Sequence, residues 1–181
     1  TNTTKSFVDN SQKVYNGESF TINLWVKIRT APTSGEQQML FCSIDDTTVT
    51  FPFIMYRNSG GTLQTYMGRS RYNVADDAVA YNTDLGTSNW AMLTVTWDGS
   101  TVNSYINGSL VGTIASTGNG TGSPSPTTRI GAWATGGDYA KCYMDEIGFW
   151  GRALSASEIS SLYNGGTGKS FGLTFVGQKS D

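Results

Sequence analysis

The stretch NWAMLTVTWDGSTVNSYINGSLVGTI, residues 89–114, decides the fold. Leu93, Val95 and Trp97 alternate with Met92, Thr94 and Thr96, the period of two expected of a strand with one buried face. Asp98-Gly99 interrupts the alternation, which resumes with Val102, Ser104 and Ile106 against Asn103 and Tyr105. Asn107-Gly108 interrupts it again before SLVGTI. Asp-Gly and Asn-Gly supply the positive φ angles of type I′ turns at low steric cost. The stretch therefore predicts a three-stranded antiparallel meander.

The same period extends outward. SFTINLWVKI (19–28) sets Phe20, Ile22, Leu24, Val26 and Ile28 against polar residues and Trp25. QMLFCSI (38–44), TFPFIMYR (50–57), TLQTYMG (62–68) and TTRIGAW (127–133) read as further strands, with Pro52 predicting an edge position or a bulge. YMGRSRYNVADDAVAYNTD (66–84), ASTGNGTGSPSP (115–126) and ATGGDYAK (134–141) read as irregular segments. One helix is signalled, in ALSASEISSLYNGG (153–166). Ser155 and Glu158 form a capping box, Leu154 and Ile159 a hydrophobic staple, and Gly165 a left-handed stop. This helix is expected to close one end of a sandwich. Short strands in hairpins with no helices between them define an all-β chain. We expect a two-sheet antiparallel β-sandwich, a jelly roll, with one short C-terminal helix. It forms a single domain over residues 1–181, with a core at about 7–166 and a C-terminal strand or tail at 167–181.

Composition removes several functions. Charged residues are 14% of the chain and the net charge is −2, which argues against nucleic acid and against an anionic membrane surface. The chain has no histidine, so no Ser-His or Cys-His nucleophile and no His-based metal site exists within it. It has no apolar run of bilayer length, so no membrane insertion is expected. It starts at TNTTKSF without a methionine or signal peptide, as expected of a mature chain or an excised domain. Weak charge with abundant Thr, Ser, Gly and Asn suits an extracellular, cell-surface or virion-surface setting. Cys42, alternating with Leu40 and Ile44, reads as core; Cys142 alternates with Met144 and Glu146, an orientation that disfavours a disulfide between the two. Sequons occur at Asn2, Asn107 and Asn119.

Three segments carry a family likeness: FTINLWVK, the meander, and MDEIGFWGRALSASEISSLYNGG (144–166). In order and spacing they resemble the laminin G-like jelly rolls of the concanavalin A-like lectin/glucanase superfamily, over roughly residues 7–166. The resemblance implies two antiparallel sheets packed face to face and a module that binds glycans or protein partners, often appended to a larger protein. Some superfamily members are glycosidases, with Glu-x-Asp-x-Glu or Glu-x-Asp-x-x-Glu along one strand. The resemblance also implies a structural Ca²⁺ anchored at the position of Asp145.

The residues themselves argue against hydrolysis. None of Asp45-Asp46, Asp76-Asp77, Asp84, Asp138 or Asp145-Glu146 repeats with glutamate at alternate positions. In a regular strand Asp145 and Glu146 would point to opposite faces and could not flank one glycosidic bond. No enzyme is expected. Beside the calcium role, Asp145 admits a second reading, as an acceptor for loop amides or a partner of Arg152. Sugars are held by aromatic faces and planar hydrogen-bonding groups. Tyr66, Arg69, Arg71 and Tyr72, with Trp133, Asp138 and Tyr139, offer such a set and are the candidate ligand-binding residues. Trp25, Trp90, Trp97 and Trp150 fall in strand patterns and read as structural or sheet-surface residues. The expected partner is a glycan or glycosylated surface. The alternative is a structural or assembly module of a virion or cell surface that binds other protein subunits, in which the tail KSFGLTFVGQKSD would take part.

Overall fold

A computed structural model describes residues 8–10, 19–44, 51–71, 74–116, 127–133 and 137–169. Among the described residues, eleven strands run in chain order: β1 Val8–Asn10, β2 Phe20–Ile28, β3 Gln37–Ile44, β4 Phe51–Ser59, β5 Thr62–Arg71, β6 Val74–Tyr81, β7 Ala91–Trp97, β8 Thr101–Ile106, β9 Ser109–Ala115, β10 Thr127–Ile130 and β11 Cys142–Trp150. Helix α1, Ala156–Tyr163, follows. The strands form two antiparallel sheets, one of six strands in the order β1-β10-β3-β4-β5-β6 and one of five in the order β11-β2-β7-β8-β9. Strands β4, β5 and β6 face β7, β8 and β9 across the sandwich. The all-β sandwich expected from the sequence is the fold observed.

The meander is β7-β8-β9. Its second turn has positive φ at both Asn107 (51°) and Gly108 (76°), as a type I′ hairpin requires. Its first turn is longer than the sequence suggests. Asp98 keeps a negative φ, Gly99 alone turns positive, and the Asp98 carboxylate accepts hydrogen bonds from the Ser100 and Thr101 amides at 2.8 and 2.7 Å. Those bonds, the Ser100 amide foremost, hold the carboxyl below its usual range.

Phe20, Ile22, Leu24, Val26 and Ile28 all point between the sheets, with Leu93, Val95 and Trp97 beside them and Ile54 and Met67 opposite. Each such side chain contributes roughly 1.5–3 kcal/mol by leaving water. Pro52 lies in β4, an interior strand, where it pairs with Arg69 of β5. The β3–β4 ladder ends at Cys42–Phe53, so the missing Pro52 amide interrupts nothing.

A bulge between Met39 and Phe41 resets the alternation of β3. Leu40 and Phe41 therefore both enter the core between the sheets, whereas Cys42 turns outward to pack with Met39, Phe53 and Met55 on the far face of the six-stranded sheet. Cys42 is buried but does not share the face of Leu40. Cys142 packs against the core between the sheets, whereas the Cys42 thiol donates to the Ala132 carbonyl at 3.3 Å. Burial pushes the Cys142 thiol up to about 12.

Helix α1 covers the outer face of the five-stranded sheet and does not close an end of the sandwich. Ile159 and Leu154 pack there with Trp25, Met92 and Tyr105, joined by Leu162 and Tyr163. The capping box of Ser155 and Glu158 is formed, and the left-handed stop falls on Asn164 (φ 48°), one residue before Gly165. Arg152 grips Glu158 through two hydrogen bonds, at 2.9 and 2.5 Å. That grip, with the Ser155 amide behind it, holds the Glu158 carboxyl at about 2 against an ordinary 4.5. A depressed carboxyl stabilises the folded chain above its ordinary value, and the contribution disappears as pH falls from about 4.5 to about 2. Because the pair is exposed, the effect is small and salt-sensitive. Melting curves of wild type and Glu158→Gln should differ at neutral pH and converge near pH 2; a difference that persists there would show that charge is not the cause.

Candidate ligand-binding pocket

On the outer face of the five-stranded sheet, Asp145 of β11 pairs with Trp25 of β2, and Trp25 pairs with Met92 of β7. Trp90 lies just before β7, two residues from Met92. Its side chain is 41% exposed, whereas Trp25 is nearly covered and stacks on Tyr163, with ring centroids 5.7 Å apart and planes 11° apart. Beyond the helix, Gly166, Thr167, Gly168 and Lys169 return across this face. Gly168 has φ +68°, and a Cβ built there would meet the Trp25 indole at 3.5 Å. Trp25, Trp90, Asp145, Glu146 and residues 166–169 enclose a cavity of about 240 Å³.

Strand alternation would keep one of the two carboxylates out of this cavity. The structure corrects that expectation. Between Asp145 and Gly148, β11 spends three steps where β2 spends two, from Trp25 to Asn23. The extra residue is a β-bulge, and Glu146 takes the left-handed region at φ 46°. Its amide donates to Asp145 Oδ1 at 2.8 Å, and its carbonyl accepts from Asn23 Nδ2 at 3.4 Å. Both acidic residues consequently line the same cavity. The bulge also lets Cys142, Met144 and Phe149 all pack against the core between the sheets.

Asp145 is thus an acceptor for a neighbouring amide, and Arg152 binds Glu158 instead of Asp145. For calcium, which takes six to eight oxygens, the donor set is thin. Among the described residues no three acidic, cysteine or histidine side chains converge. Asp9-Asn10 belongs to β1, in the other sheet.

The residues singled out from the sequence fall elsewhere. The segment 66–84 is not a loop: most of it forms the paired strands β5 and β6. Arg69 is completely buried between the sheets, its guanidinium carbon 3.6 Å from the centre of the Trp97 ring and its Nη1 donating to Ser116 Oγ at 2.9 Å. It cannot touch a ligand in solution and is a core residue. Arg71 ends β5 with its side chain outside the described residues, and Tyr72 lies outside them altogether, as do residues 170–181 of the tail, residues 117–126, Asn2 and Asn119. Tyr66 and Trp133 come together on the far side of the six-stranded sheet, around Phe53 and Met55. Arg57 lies 4.1 Å over the Tyr66 ring. Asp138 is exposed with φ 44°, and its carbonyl accepts the Met39 amide; Tyr139 bridges to Met39. Trp133 and Tyr139 thus sit against the six-stranded sheet, and neither lines the cavity beside Trp90. A second concavity, between β11 and α1, is lined by Trp150, Leu154 and Leu162, with Arg152 and Glu158 bonded to each other.

The sequence pattern of the concanavalin A-like lectin/glucanases superfamily matches residues 2–160. The chain belongs to this superfamily. Solved structures of the same fold include the native heptameric SAP-like pentraxin from Limulus polyphemus, at 18% identity and a TM-score of 0.64, covering 90% of this chain and 78% of that one. The binding domain of botulinum neurotoxin DC in complex with rat synaptotagmin II matches at 20% identity and a TM-score of 0.64, over 88% of this chain and 40% of that one. The same toxin domain in complex with SialylT matches at 18% identity and a TM-score of 0.61, over 82% and 36%. The chain thus spans well under half the length of these toxin domains. Comparison with curated protein sequences finds no match. In this concanavalin A-like chain, no helix among the described residues is long and apolar enough to cross a membrane.

Proposed function

We propose that this chain is a non-catalytic carbohydrate-binding module of a larger extracellular or particle-surface protein. The observation that carries the reading is the cavity in which the exposed Trp90 indole stands beside Asp145 and Glu146. An aromatic face takes the C–H surface of a sugar ring, while carboxylates accept its hydroxyl protons through charge-assisted bonds. The lectin-like fold and neighbours solved with SialylT or synaptotagmin II support a binding role.

Glycan-array screening followed by calorimetry tests this. Trp90→Ala is expected to weaken binding at least about tenfold, or about 1.4 kcal/mol, with an unchanged melting temperature. A wild-type chain that binds no glycan at roughly millimolar concentration, where the free energy is only about −4 kcal/mol, would remove the reading.

A further inference from the structure

We infer that the cavity prefers a cationic amino sugar to a neutral or acidic one, an inference that rests on the carbohydrate-binding reading above. Among the residues lining it, Asp145 and Glu146 contribute two negative charges and Lys169 one positive charge, a net of −2 + 1 = −1. The Asp145 carboxylate is held in place by the Glu146 amide, and the Asn23 side chain holds the backbone carbonyl of the bulge residue that carries the second charge. Lys169 is different. It is exposed and sits on the segment that returns past the helix, and its long stem lets its ammonium move toward solvent. The exposed tryptophan adds to the preference. An indole face carries negative quadrupole density and attracts a cation above it, and Trp90, 41% exposed, lines the same space.

A protonated amine on a pyranose therefore meets carboxylates with which it forms charge-assisted hydrogen bonds, roughly twice as strong as neutral ones. It meets the Trp90 indole, which favours it as well. N-acetylation removes that charge and leaves hydroxyl and neutral amide contacts. A sialylated or uronic sugar brings a carboxylate against Asp145 and Glu146 and is repelled. The same toxin fold solved with SialylT is therefore not a guide to the sugar taken here.

Glucosamine oligomers and N-acetylglucosamine oligomers of equal length form the test pair, since they differ in the amine alone. Calorimetry on the whole chain near pH 6, where the amine is protonated, should show the glucosamine oligomer bound at least about tenfold more tightly. The advantage should shrink severalfold in about 0.5 M salt. It should also largely vanish in Asp145→Asn, which keeps the oxygen that accepts the Glu146 amide and is expected to melt like wild type. Equal binding of the two oligomers, or tighter binding of a sialylated glycan, would overturn the preference while leaving the carbohydrate-binding reading intact. A lysine-rich peptide bound as tightly as the glucosamine oligomer would also overturn it, because the cavity would then read an ammonium group and not a sugar. If no sugar of any charge binds, the underlying reading fails with it.

Discussion

Arg69→Ala is expected to destabilise the fold by about 3–5 kcal/mol. Arg69 is fully buried, lies over Trp97 and donates to Ser116, whose carbonyl also accepts the Trp97 indole N–H at 3.2 Å. Truncation empties the space of the aliphatic stem, removes the cation from the ring and takes the Arg69 donor away from the Ser116 hydroxyl. Each of these costs belongs to the small group of changes that reach several kcal/mol. Arg69→Met keeps most of the volume, so the difference between the two variants separates the packing loss from the loss of the guanidinium contacts. Urea unfolding reads both variants through the midpoint, with the slope unchanged. A stable Arg69→Ala that had lost glycan binding would reverse the assignment and return Arg69 to the ligand site.

Arg69 also shows why part of the fold was legible and part was not. Strands β2 and β7 could be read because their core faces are runs of Phe, Ile, Leu, Val and Trp, and β8 and β9 because Asp-Gly and Asn-Gly mark the turns between them. The capped helix was legible because its box and staple are local patterns. The β5–β6 hairpin hides because its core face carries an arginine, and a polar residue at an inward position breaks the alternation on which strand reading depends. Its neighbour Gly68 offers no side chain to mark the opposite face.

The pocket was hidden for another reason. A bulge adds one residue without leaving a compositional trace, yet every side chain beyond it changes face. At Met39–Phe41 this moves Cys42 outward, and at Asp145–Gly148 it brings Glu146 to the cavity of Asp145. Trp90, which reads from the sequence as a structural or sheet-surface residue, lies just before β7 and lines the cavity. Its significance lies in the segment 166–169, distant in sequence, that returns to wall the cavity beside it.

Within that cavity the two tryptophans should behave oppositely, and Trp25→Ala should have the second large effect. Trp25 is 6% exposed, stacks on Tyr163 and lies under Gly168, so it seats both the helix and the segment that follows it. An eight-residue helix is marginal in water without such a seat. Truncating a buried tryptophan costs about 3–5 kcal/mol, and the helix and cavity wall should loosen together. Glycan binding should then fall through loss of the site's shape. Trp90 is exposed on its cavity side, so its truncation should remove binding with little effect on unfolding. Trp25→Phe separates the contributions: a ring that can still stack on Tyr163 should restore most of the stability. Hydrogen exchange at the α1 amides provides the local measurement, with protection lost in Trp25→Ala and retained in Trp90→Ala. If Trp90→Ala unfolds as readily as Trp25→Ala, the indole at position 90 is structural, and the cavity has lost the residue on which its proposed chemistry depends.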